Sequence, residues 1–298
     1  MATSNTALVQ FFSVTPEGPT PLLVRPGVKH AHELFDDLPL GVYSAFRTFD
    51  HDRFLGLEDH LERTDRSMEL LGWSQRLDRL LLRRTLHQVC SAYPGQDAFV
   101  RFDVLSEEWS VARSRTLIAL SPFVPLPERY LIEGVGVLFT HLKRERPLIK
   151  TARFVLERRP YPLGRQDAFE HLLVDEAGNL LEGTSSNFLA VIDGQLRAAG
   201  EGALKGVTQG FVIRLAREAG LPVERRPVLR DELAHATEAF LTGSTRGIVP
   251  VVTIDGRKVG PGNPGTWTRR LLDDYRELTR REPAPAWPLP APRPSARD

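Results

Sequence analysis

The chain has 298 residues, of which 41% are hydrophobic and 26% charged, a balance that excludes fibrous and wholly disordered chains and suits about two packed domains. Its 39 basic and 38 acidic residues leave a formal net charge of +1, so no electrostatic footprint points to nucleic acid or to an anionic membrane surface, and small molecules and a second copy of the chain are the expected partners. A single cysteine, Cys90, excludes an internal disulfide and a cysteine-rich zinc site; with no basic leader and no apolar run near the roughly 20 residues of a membrane span, a cytoplasmic protein is expected.

Residues 1–30 alternate short apolar stretches with turn residues and predict an edge hairpin or a strand broken at Pro16 and Gly18. LGVYSAFRTFDHDRFLGL, from Leu40, reads as two strands joined by a turn around Asp50 to Asp52. In LEDHLERTDRSMELLG the residues Leu57, Leu61, Met68 and Leu71 share one helical face, with acidic residues in the first turn and Gly72 as the stop. RLDRLLLRRTLHQVCSAY is a second helix, ended by Pro94–Gly95. AFVRFDVL and RTLIALSPFV are strands, so residues 1–120 form a small α+β domain, and prolines 122, 125 and 127 place a linker at 121–130.

A larger domain is predicted over 131–280. It opens with the strand EGVGVLFT and the polar stretch HLKRERPLIK, followed by the helix-like TARFVLERR and the strand AFEHLLVD. The turn Glu176–Asn179 leads into LLEGTSSNFLAVID and GQLRAA. From Val207 the residues Phe211, Leu215 and Ala219 recur at helical spacing, closed by Gly220 and Pro222. EAFLTGSTRGIVPVVTIDG reads as strand, turn and strand, and 266–280 as a terminal helix. The last stretch, 281–298, carries six prolines between Pro283 and Pro294 and is expected to be an extended or disordered tail.

Several chemistries lack their signature. His30, His32 and Glu33 supply too few ligands for a metal, no glycine-rich phosphate loop of the dinucleotide or P-loop kind occurs, and no GxSxG elbow supports a hydrolase. What remains is a set of turns: Lys150, LLEGTSSN at 180–187, LKGVT at 204–208 and LTGST at 241–245. Taken singly, such turns simply end strands. Amine chemistry has few candidates, because only five of the basic residues are lysines.

Taken in order, these turns resemble the fold-type IV pyridoxal-phosphate enzymes, or class IV aminotransferases, which include branched-chain and D-amino-acid aminotransferases and 4-amino-4-deoxychorismate lyases. The resemblance covers residues 40–275 and rests on HLER at 60–63, IK at 149–150, LLVDEAGNLLEGTSSNFLAVIDGQL, LKGVT, FLTGSTRGIVPV and IDGRKVGPGNPGTWTRRL. It implies a two-domain α/β fold with the cofactor between the domains, pyridoxal 5'-phosphate as that cofactor, and a homodimer. By the same resemblance Lys150 is the Schiff-base lysine, catalytic as well as cofactor-binding, and Glu182 is the carboxylate that keeps the pyridine nitrogen protonated. Gly206, Val207 and Thr208 at a helix start, Ser244 and Thr245 in a second turn, and Arg63 of HLER are the expected phosphate ligands.

Tyr43 matches an aromatic substrate wall, and Arg101, which sits where branched-chain enzymes carry tyrosine–x–arginine, is a second expected substrate contact, with Phe99 replacing the tyrosine. Three further departures from the branched-chain pattern are Val155 at a tyrosine position, Arg246–Gly247 after the second phosphate turn, and Lys205 and Gln209 in the LKGVTQ turn. Arg246 is expected to bind a substrate carboxylate, with a salt bridge to Glu238 or Asp231 as the structural alternative. The implied reaction is amino transfer between an amino acid or primary amine and a 2-oxo acid. A deoxychorismate lyase and a degenerate cofactor-binding protein are the competing readings.

Overall fold

The computed structural model describes residues 8–35, 38–165 and 168–288. Two compact units divide the chain, one comprising Met1–Met68, Gly72–Phe123 and Arg281–Asp298, the other Glu69–Leu71 and Val124–Arg280.

The first unit begins with β1 (Gln10–Thr15) and β2 (Gly18–Pro21), then β3 (Gly41–Arg47) and β4 (Arg53–Phe54). Gly18 takes the turn between the first two at φ 122°, a conformation open to glycine and strained for any side chain. Helices α1 (Leu57–Leu70) and α2 (Arg79–Ser91) follow, then β5 (Ala98–Trp109) and β6 (Ser114–Pro122). Gly72 at φ 76° stops α1, and the Asp78 carboxylate caps α2 by accepting from the Leu81 amide. The strands form an antiparallel sheet in the order β2-β1-β6-β5-β3. Because side chains alternate along a strand, Tyr43 and Ala45 lie opposite Asp103 and Arg101 on one face, while Ser44 lies opposite Phe102 on the other.

The second unit holds α3 (Arg129–Ile132), β7 (Val135–Thr140), α4 (Ala152–Glu157), β8 (Glu170–Val174), β9 (Asn179–Gly183), β10 (Asn187–Ile192) and β11 (Gln195–Ala198). After α5 (Val207–Glu218) come β12 (Val223–Glu224), β13 (Val228–Leu229), β14 (Ala236–Gly243), β15 (Gly247–Ile254), β16 (Arg257–Lys258) and α6 (Thr266–Arg281). The sheet order is β12-β11-β10-β14-β15-β7-β8-β9-β13, and a further pairing of β9 with β10 through Glu182 and Asn187 closes six of these strands into a barrel. Its interior is a cluster that includes Val135, Val137, Leu172, Phe188, Leu241 and Val251, all buried. The start of the barrel's β8 and the turns 184–186 and 244–246 share one end, since Asn187 pairs with Thr242 and Leu172 with Gly183. No helix among the described residues is long and apolar enough to cross a membrane.

Two expectations are corrected. In α5 the residues turned into the core are Val212, Ile213 and Ala216, one step round from the Phe211, Leu215 and Ala219 stripe, which stays half-buried. The stretch read as an extended or disordered tail from 281 is not disordered as far as 288: α6 runs to Arg281, and the extended β17 (Ala284–Pro285) pairs with β4. Proline offers no amide hydrogen, so the anchoring uses the groups around it: Arg53 donates to the Pro283 carbonyl at 2.6 Å and the Ala286 amide donates to the Asp52 carbonyl at 3.1 Å. Ala286 is fully buried, and the Arg84 guanidinium lies 4.7 Å from the Trp287 ring centre. Residues 289–298 of that tail lie outside the described residues.

Candidate active site

Within the first unit the HLER motif occupies α1. Residues three apart share a helix face, so His60 and Arg63 both turn to Ser44 on β3. The Ser44 hydroxyl lies 2.8 Å from His60 Nδ1 and accepts from Arg63 Nη2 at 3.0 Å, and Arg63 Nη2 is 3.3 Å from the same ring nitrogen. His60 and Ser44 are buried, so they fix the direction of the half-buried Arg63 guanidinium. The motif's histidine is thus an orienting partner of its arginine.

On the opposite face of β3, Tyr43 and Arg101 are joined by a residue the sequence reading passed over. Arg101 donates from Nε and Nη2 to the two carboxylate oxygens of Asp103, both at 2.7 Å. Its guanidinium is 4.2 Å from the Phe35 ring centre and 4.6 Å from that of Tyr43. Arg101 and Asp103 are nearly fully buried, and burial pushes the Asp103 pKa above the ordinary carboxylate value against the pull of Arg101. Two of the arginine's nitrogens are therefore engaged inside the protein, with Tyr43 stacked against the pair.

In the second unit, stretches distant in sequence meet at one end of the barrel. Glu182 of β9 is 2% exposed. Its Oε2 accepts from the Leu204 amide at 3.3 Å, and Arg144 Nε stands 2.8 Å from Oε1. That second contact is an ion pair between two buried atoms. Arg144 stacks on Phe154, its guanidinium 3.7 Å from the ring centre. Burial raises the Glu182 pKa; Arg144, the Leu204 amide and the charge of Lys150 act in the other direction. Lys150 lies near enough for its charge to act on Glu182. It directly precedes Thr151, whose hydroxyl accepts from the Phe154 amide at 3.4 Å and caps α4.

The two expected phosphate turns also converge. Gly206 caps α5 in extended conformation, and a Cβ there would fall 1.8 Å from Asn187 Oδ1, which explains glycine at this point. Asn187 is held by donating to the Leu204 carbonyl at 2.6 Å. The Thr208 hydroxyl in the first turn of α5 donates to the Ser244 hydroxyl at 3.4 Å. Val207 and Thr208 thus present the free amides of a helix start beside the hydroxyls of the Ser244–Thr245 turn, an arrangement suited to an oxyanion.

Arg246 pairs with Glu170 rather than with Glu238 or Asp231. It donates from Nη1 to Glu170 Oε2 at 3.1 Å and from Nη2 to the Ser185 hydroxyl at 2.6 Å. Glu238 instead accepts from the Trp267 and Thr268 amides at the start of α6. Sequence reasoning missed Glu170, Arg144, Asp103, Ser44 and His60. His60 and Asp103 had a local signal, in a spacing of three from Arg63 and of two from Arg101. Lys205 is exposed and Gln209 buried, flanking the cap of α5. A cavity of about 480 Å³, lined by residues including Phe139, Leu233, Ile254 and Lys258, lies at the other end of the barrel from these turns.

The arrangement accommodates a phosphorylated pyridine aldehyde. A buried carboxylate suits a ring N–H, the clasped hydroxyl turns with the α5 amides suit a phosphate, and a lysine near the carboxylate supplies an amine.

Comparison with known proteins agrees with this chemistry. A family model described as amino-transferase class IV matches residues 41–254. D-alanine aminotransferase of Bacillus licheniformis is 25% identical over 241 residues, covering 78% of this chain and 84% of that protein. The branched-chain-amino-acid aminotransferase of Pseudomonas aeruginosa is 34% identical over 112 residues, 37% of this chain and 36% of its own. Among solved structures, the branched-chain amino acid aminotransferase from Thermobaculum terrenum in its PLP form superposes with a TM-score of 0.74 at 23% identity, covering 93% of this chain and 98% of that one.

Proposed function

The chain belongs to the amino-transferase class IV family and has its fold-type IV architecture, and from that premise we propose that it moves an amino group between an amino acid or primary amine and a 2-oxo acid, using pyridoxal 5'-phosphate. The observation that carries this reading is Glu182: a carboxylate buried to 2% exposure, with Arg144 at 2.8 Å from one oxygen and the Leu204 amide on the other, within the electrostatic reach of Lys150.

When bound, pyridoxal phosphate supplies an aldehyde for amine exchange and a ring that accepts the electron pair left when the substrate Cα–H proton departs. Lys150 would hold the aldehyde through its amine, and its Nζ would serve as the base and acid that moves the proton at the substrate Cα. Glu182 holds a proton at the pyridine nitrogen. Gly206, Val207, Thr208, Ser244 and Thr245 are assigned to the phosphate, and Arg63, braced by Ser44 and His60, contributes the cation its motif implies. Tyr43 is assigned a substrate contact, and Arg101, pinned to Asp103, acts by backing its ring. A homodimeric, cytoplasmic enzyme is the assembly and location we infer from the family resemblance and the single buried cysteine.

The test incubates the pure protein and pyridoxal phosphate with single amino donors and a 2-oxo acid. Stoichiometric appearance of the new amino acid and the donor's oxo product, abolished in Lys150→Ala, is the expected result. Glu182→Ala should slow turnover more than it loosens the cofactor, and Arg63→Ala should do the reverse. Pyruvate and 4-aminobenzoate released from 4-amino-4-deoxychorismate without an oxo-acid acceptor, with no amino transfer to any acceptor, would replace this reading by the lyase. A protein that never acquires near-visible absorbance with pyridoxal phosphate would end both.

A further inference from the structure

The ion pair between Arg246 and Glu170 has no counterpart in the roles assigned above, and its position is particular. Glu170, fully buried at the start of β8, faces two turns at once. Toward the turn after Glu182 its Oε1 accepts from the Ser185 amide at 2.5 Å and the Ser185 hydroxyl at 3.0 Å. Toward the turn of Ser244 and Thr245 its Oε2 accepts from Arg246 Nη1 at 3.1 Å. Arg246 completes the bridge by donating to the Ser185 hydroxyl at 2.6 Å, and its own amide closes the turn on the Gly243 carbonyl at 3.1 Å. Gly183 leaves the room this requires: a Cβ there would fall 2.6 Å from Glu170 Oε1. The side chain of Arg246 is 15% exposed and that of Glu170 is not exposed, so the pair is shielded from solvent and its geometry is tightly set.

We propose that Arg246 and Glu170 form a strut that fixes the distance between the turn that follows Glu182 and the turn carrying Ser244 and Thr245, and so sets the spacing between the ring-nitrogen and phosphate subsites of the cofactor. They are positioning residues, acting through Ser185 and the 243–246 backbone. This rests on the cofactor reading above and sharpens it. Each turn keeps its own donors without the strut; what is lost is their registration. A molecule that engages both turns should therefore feel the loss, while one that engages a single turn should not.

The experiment uses the full chain freed of cofactor, in wild type, Arg246→Met and Glu170→Gln. Three probes are titrated: pyridoxal phosphate and pyridoxal by absorbance, and inorganic phosphate by its competition against pyridoxal phosphate. In both variants pyridoxal phosphate is expected to bind about tenfold more weakly while pyridoxal and phosphate keep their wild-type affinities within about twofold. The double variant should lose little more than either single one, as residues of one network do. Loss of inorganic phosphate affinity in Arg246→Met alone would overturn the strut in favour of a direct phosphate ligand. Unchanged pyridoxal phosphate affinity with a raised KM for carboxylate donors would overturn it in favour of a substrate role. Equal weakening of all three probes with a lowered melting temperature would reduce the pair to general stability. Wild-type protein that binds none of the probes would instead refute the cofactor reading beneath it.

Discussion

Replacement of Gly206 by alanine tests how tightly the start of α5 is built. The backbone there, at φ −76° and ψ 137°, is open to alanine, so the substitution carries no conformational strain and its whole effect is steric. The new methyl would fall 1.8 Å from Asn187 Oδ1 and 2.9 Å from its Cγ. Asn187 must then move, and its 2.6 Å hydrogen bond to the buried Leu204 carbonyl goes with it. Overpacking costs about 1–3 kcal/mol and an orphaned buried carbonyl about 1–3 kcal/mol, together roughly 2–6 kcal/mol. At about 3 °C per kcal/mol for a unit of this size, the melting temperature should fall by roughly 6–18 °C. Gly210, one turn further along α5, is the internal control: nothing lies within 4 Å of its Cβ position, so Gly210→Ala should raise stability by about 0.5–1 kcal/mol through helix propensity. Differential scanning calorimetry of the two variants decides the matter. Equal melting temperatures would refute the steric account of the helix cap.

Truncation after Glu282 should lower the melting temperature by several degrees, because it removes the β17–β4 pairing, the buried Ala286 and the Trp287 ring under Arg84; an unchanged transition would show that this segment contributes nothing. Asp103→Ala should cost about 3–5 kcal/mol by leaving the Arg101 charge buried without its carboxylate, whereas replacing both with leucine should recover most of it; urea titration of the wild type and the two variants reads the difference. Cys90 is fully buried, and burial pushes its thiol well above the ordinary value. Native protein should therefore resist a thiol-specific disulfide reagent that labels it at once in denaturant.

What the sequence showed and what it hid divide along a physical line. Turns are local, and the residues that shape them are neighbours, so Gly72 and Gly220 mark the ends of α1 and α5 with φ values of 76° and 86°, and the stretches around Glu182, Gly206 and Ser244 announce themselves. Partners of buried charges are set by the tertiary fold. Arg144 finds Glu182 and Arg246 finds Glu170 across long stretches of chain, and nothing near either arginine specifies which carboxylate it will meet. Asp103 is the exception, since it stands two residues from Arg101 and strand alternation places both on one face. The one-step error in the buried face of α5 has a similar cause: its first turn is held by Thr208 and Gln209, buried polar residues that a count of apolar spacing leaves out. The docking of residues 284–287 escaped for the opposite reason, because proline-rich composition reports only on amide donors, and the anchors there are carbonyls and one alanine amide.

The barrel of the second unit is closed along one line by the single residue pair Glu182–Asn187, whereas β10 and β14 share six pairs and β14 and β15 share five. A seam so narrow is the place where a sheet breathes first, and local opening there needs far less than global unfolding. Amide hydrogens along β9 and the first residues of β10 should exchange with solvent ahead of those between β10 and β14. Both residues of the seam also serve the site: Glu182 carries the carboxyl and Asn187 packs against the cap of α5. A molecule that ties Glu182 to the start of α5 consequently stitches the barrel shut, and its arrival would register as slowed exchange along two strands rather than only at the atoms it touches.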